Sequence, residues 1–60
     1  MVANAVLNMM IERGGAFNRN LAELYYVADA GNSIKLENAF SDIFEHFQKL
    51  SDEANTDEKN

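Results

Sequence analysis

Sixty residues without a cysteine make one small domain with no disulfide and no thiolate metal site. A chain of this size buries only about 60% of its unfolded surface, so its core is marginal and oligomerisation is the staple left to it. The net charge of −5 is uneven: residues 1–50 carry −2, and the last ten, with Asp52, Glu53, Asp57 and Glu58 against Lys59, carry −3. That balance excludes a basic face for a nucleic-acid duplex. Proline is absent and no run alternates with the period of a strand, so the chain is expected to be all-α.

Residues 2–13 are predicted as the first helix. Val2, Ala3, Val6, Met9 and Met10 form one stripe, Leu7 and Ile11 extend it, and only Asn4, Asn8 and Glu12 interrupt. A helix apolar almost all round needs cover on more than one side. Val6, Met9 and Met10 are therefore assigned to an oligomer interface, where methionine adapts well to a partner. The segment has no positive residue ahead of its apolar run and no small-residue cleavage site. It does not read as a signal peptide, and the run is too short to span a membrane. No membrane partner is expected, and the expected location is the cytoplasm.

Gly14-Gly15 ends this helix, since glycine accepts the C-cap conformation without steric cost. The second helix is predicted over 18–30 with Asn18 as N-cap; Asn20 with Glu23 offers a capping-box start instead. Leu21, Leu24, Tyr25 and Ala28 form its inner stripe, and Ala22, Tyr26 and Ala30 a second, smaller one. Gly31 reads as its C-cap glycine. Asn32 or Ser33 then caps the third helix, predicted over 33–54.

That third helix carries the strongest pattern in the chain. Leu36, Phe40, Ile43, Phe47, Leu50 and Ala54 recur at steps of four and three, and Phe44 widens the stripe. At 1.5 Å per residue the second helix is roughly 20 Å long and the third roughly 31 Å. A two-residue connection makes them antiparallel neighbours, so Phe47, Leu50 and Ala54 overhang. If the first helix folds back on this hairpin, Phe47 and Leu50 stay bare. If it swings along the overhang, its own second side is exposed. Either arrangement leaves a patch of the kind that marks interfaces. The expectation is a helical hairpin plus a shorter N-terminal helix, assembled as a homo-oligomeric bundle through Val6, Met9, Met10, Phe40, Phe44, Phe47 and Leu50. The domain is read as 1–54, and the acidic segment 55–60 as a disordered tail.

No catalytic constellation is visible. There is one histidine, and Ser33, Ser41 and Ser51 have no base at a telling spacing. Asp42 and His46 lie one turn apart, but two ligands do not hold a metal, so neither metal nor cofactor is expected. The most suggestive stretch runs from Arg13 to Asn20. Arg13, Gly14, Gly15, Asn18 and Arg19 combine guanidinium forks with backbone N–H groups at a helix start, which suits an anion. Tyr25 and Tyr26, two turns on, are placed to stack a base. The plain alternative is a helix–helix turn with solubilising arginines.

The run ERGGAFNRNLAELYYVADAGNSIKLENAFSDIF, residues 12–44, resembles small uncharacterised helical proteins encoded by tailed phages and prophages. The shared shape is a Gly-Gly-aromatic turn, a short Ala-rich helix, an Ala-Asp turn with Asn, then Leu-x-x-Ala-Phe. The resemblance implies action on host machinery or defence, in the host cytoplasm. The expected function is a non-enzymatic binding module that blocks a host protein through an apolar helix face. The alternatives are an oligomeric sponge for an anionic small molecule such as a cyclic nucleotide, and a purely structural assembly module.

Overall fold

The computed structural model describes the backbone of residues 1–59 and the side chains of residues 1–54. Of the tail expected to be disordered over 55–60, the backbone of 55–59 continues the last helix, and residue 60 lies outside the described residues. Four α-helices follow one another: α1 (Asn4–Arg13), α2 (Gly15–Val27), α3 (Ala30–Ala39) and α4 (Ser41–Lys59). Among the described residues there is no strand, so the all-helical expectation holds, but the helices number four rather than three.

The correction falls inside the strongest pattern. The helix expected over 33–54 starts earlier, at Ala30, and breaks at Phe40, whose backbone turns to φ −122 and ψ 35. Hydrogen bonding bridges the bend. Phe40 N–H donates to the Leu36 carbonyl at 3.0 Å, and the Phe40 carbonyl accepts from Phe44 N–H at 3.1 Å. The break therefore costs little in backbone bonding, and neither proline nor glycine marks it. Its consequence is tertiary. A straight helix would carry Phe44 and Phe47 past the end of α2, whereas the bent one lays α4 against α1.

That resolves the position of the first helix. α1 folds back and packs on both α2 and α4. Val6, Leu7 and Met10 are almost fully enclosed and share one core with Leu21, Ala22, Phe44 and Phe47. Phe47 is buried and Leu50 half-buried, so the expected bare overhang is absent. Burying an apolar side chain of this size stabilises by about 1.5–3 kcal/mol, which is why the chain accepts the bend.

The two turns also differ from expectation. Gly14 N–H closes α1 on the Met10 carbonyl at 2.9 Å. Gly15 then takes φ +80, a left-handed conformation suited to glycine, and opens α2. Asn18 is not the N-cap, and Asn20 with Glu23 also lies inside the helix. Asn18 sits in the first turn of α2 and donates from Nδ2 to the Gly14 carbonyl at 2.9 Å.

At the second turn Gly31 is not a C-cap, and neither Asn32 nor Ser33 is the N-cap. Asp29 is the cap: its Oδ1 accepts from Asn32 N–H at 2.8 Å. Such a cap contributes about 1 kcal/mol. Three residues in five carry a side chain suited to that role, and Asp29, with φ −73 and ψ 177, is the one in the extended conformation that precedes the helix.

Candidate interaction surface

α2 is rotated from the expected orientation. Its inner face is Leu21 and Ala22, both buried, with Tyr25 half-buried beside them. Leu24, expected inside, is half exposed, and Phe17 and Val27 stand out further, at 61% and 80%. Because α2 is apolar round most of its circumference outside the Arg19 and Glu23 flank, periodicity alone could not choose the inner face. Phe17, Leu24 and Val27 fall within about a third of a turn of one another at 100° per residue, so they form one outward stripe.

Two clefts border this stripe. One, of about 220 Å³, is lined by Phe17, Asn20, Leu21, Leu24 and Phe40. Phe17 meets Phe40 edge-on there, with ring centroids 5.9 Å apart. The other, of about 410 Å³, runs from Leu24 and Val27 to Leu36, with Asp29 and Lys35 at its rim. Leu24 lines both, so they form one furrow along the seam of α2 and α3, two helices that touch only sparingly. These exposed residues were missed in the sequence. The available signal was the width of the apolar surface of α2, more than a chain this short can cover.

Most of the residues expected at an oligomer interface are enclosed within the single chain. Val6, Met10, Phe44 and Phe47 are interior to the single chain, and Met9, Phe40 and Leu50 are half-buried against the same core. The reason is the bend at Phe40, which supplies from within the chain the cover that a second chain was expected to give.

The residues expected to hold an anion are only partly brought together. Arg13, Gly14, Gly15 and Asn18 meet at the first turn, and both arginines are exposed. Asn18 turns its donor to Gly14, while its Oδ1 is buried without a partner. A lone acceptor oxygen does not attract an anion. Tyr26 donates to Asn8 Oδ1 at 3.2 Å. Tyr25 is turned to a carboxylate: its hydroxyl donates to Glu37 Oε2 at 2.8 Å and accepts from Val2 N–H at 3.1 Å. Its ring lies tilted against Phe44 at 5.6 Å. Asp42 and His46 remain on α4, and the His46 ring stands edge-on to Phe47.

Glu37 ties three segments together. Its Oε1 also lies 3.2 Å from the Met1 amino group. The Tyr25 hydroxyl first, and then the amine, hold its carboxyl below the ordinary 4.5. Burial raises the Tyr25 phenol above 10.0. The lowered carboxyl stabilises the fold above pH 4.5, and that contribution is lost as pH falls through the folded value. The raised phenol contributes below pH 10.0, and its share is lost as pH rises through the folded value. Glu37→Gln should therefore flatten the acid limb of the melting profile. Melting followed by circular dichroism from neutral pH down through 4.5 checks this; an unchanged acid limb would show that Glu37 carries none of it.

Among the described residues, no helix is long and apolar enough to cross a membrane. No protein-family model, curated protein or solved structure matches the chain, so the functional argument rests on this surface.

Proposed function

We propose that the chain is a non-enzymatic helical binding module whose contact surface is the outward stripe of α2 with the furrow it shares with α3, and whose partner is another polypeptide. The observation that carries this reading is the exposure of Phe17, Leu24 and Val27 on one stripe beside a continuous furrow. Scattered exposed apolar residues need no explanation, but a contiguous set of large ones marks an interaction site. A furrow of this shape suits an apolar helix laid along it.

The resemblance of residues 12–44 to tailed-phage proteins supports a protein of the infected host as partner and the host cytoplasm as the place of action. The same face is the one available to a homo-oligomeric bundle, because Val6, Met10, Phe44 and Phe47 are already spent in the chain's own core. A photo-crosslinking residue at position 24, introduced into the producing cells, should give a discrete adduct with another polypeptide. The same residue at position 49, exposed on α4, should give none. No adduct from position 24, or equal yields from both, would overturn the reading.

A further inference from the structure

We infer that the stripe of α2 is occupied by a second copy of this chain, packed so that the two α2 helices run antiparallel about a two-fold axis at the level of Ala22. The inference rests on the reading of this face as a contact surface and adds its occupant.

The argument is complementarity of charge and shape along one helix. Phe17 and Val27 stand near opposite ends of α2, about 15 Å apart at 1.5 Å per residue, with Leu24 between them. Arg19 and Glu23, both exposed, lie one turn apart on the Val27 flank of the stripe. Neither forms an ion pair among the described residues. The order Arg then Glu is also the less favourable one for pairing within a helix. Their charges are left for something outside the chain.

In a two-fold antiparallel helix pair, the same flank of each helix meets the same flank of the other. Turning a second α2 about the level of Ala22 sets Phe17 against the copy's Val27 and Asn20 against its Leu24. Arg19 then lies about 3 Å in axial rise from the copy's Glu23, an offset its long side chain spans, and each of these contacts occurs twice. A parallel two-fold pair brings opposite flanks together, so Arg19 and Glu23 would not meet their counterparts and would stay unpaired. The pattern therefore selects one direction of packing as well as a partner. The furrow gives room for this approach, since α3 stands back from α2 on the other flank.

The measurement is mass by light scattering at about 1 mM chain, because contacts below roughly 1,200 Å² are weak. Wild type should show twice the mass of one chain. Arg19→Glu and Glu23→Arg should each weaken the dimer by more than about tenfold, since two like-charge pairs replace two attractive ones. Their equimolar mixture should restore the doubled mass, because every pair is then of opposite sign. Both positions are exposed, so helix content by circular dichroism should stay at the wild-type value.

The cysteine-free background makes direction readable. Phe17→Cys mixed with Val27→Cys should form a mixed disulfide under mild oxidation, in preference to either homodisulfide. A wild-type chain of single mass overturns the second copy and leaves the contact surface to the position-24 crosslink. Charge variants that each remain dimeric, or a preferred Phe17→Cys homodisulfide, overturn the antiparallel arrangement. A dimer that survives Leu24→Lys overturns both the arrangement and this face as the contact surface.

Discussion

Phe47→Ala is expected to leave the chain largely unfolded at room temperature. Phe47 is buried in the core with Val6, Leu7, Met10 and Phe44, and removing a packed aromatic costs about 3–5 kcal/mol. A domain of sixty residues has roughly 3–9 kcal/mol in all, at 0.05–0.15 kcal/mol per residue. One substitution therefore removes at least about a third of the margin and, over the lower half of that range, most or all of it. Phe47→Leu keeps much of the volume and should retain a cooperative transition. Phe17→Ala is the matched contrast: its ring is 61% exposed, so the folded single chain should melt close to wild type. Urea titration followed by circular dichroism separates the three. A Phe47→Ala chain as stable as Phe17→Ala would mean that α4 does not pack on α1 as described.

Gly14→Ala is expected to be the most damaging change at a turn. Its φ of −84 is ordinary for alanine, so the cost is not backbone strain. A Cβ built at Gly14 would lie 2.5 Å from the Met10 carbonyl oxygen and 2.6 Å from the Asn18 Cβ. The first of these atoms is backbone in the last turn of α1, so relief requires α1 and α2 to move apart. Overpacking of this kind costs about 1–3 kcal/mol or more, and it loosens the pairing of helices that holds Leu7 and Met10.

Gly15, next in the chain, fails for the opposite reason. A Cβ there meets nothing within 4 Å, but its φ is +80. Gly15→Ala should cost about 1–2 kcal/mol for a left-handed residue. Gly15→Asn should recover part of that loss, because asparagine tolerates the conformation. Gly14→Asn should recover nothing, because the obstacle is space. Denaturation midpoints of the four variants test the distinction. A recovery by asparagine at Gly14 would contradict the close approach of α1 and α2.

The sequence by itself determined that this chain is helical, where its first turn lies and which residues of its last third face inward. The steps of four and three through Leu36, Phe40, Ile43, Phe47 and Leu50 require a common helical phase, and the structure keeps it. Gly14-Gly15 marked a turn because backbone needs there exclude most side chains. The bend at Phe40 was not legible. Periodicity records the angle of each side chain about a helix axis, and a one-residue bend preserves that angle while redirecting the axis.

From that redirection follow the burial of Phe47, the return of α1 and the enclosure of Val6, Met10 and Phe44 within the single chain. The inner face of α2 was equally hidden, since Leu21, Ala22, Leu24, Tyr25 and Val27 offer apolar surface round more than half of the helix. Only the position of α1 and α4 chose Leu21 and Ala22 and left Leu24 and Val27 in water. Competition among Asp29, Asn32 and Ser33 for one cap was settled in the same way, by where the incoming chain had to point. Local spacing decides what each helix can bury, whereas the limited area of a sixty-residue core decides which part of it is buried.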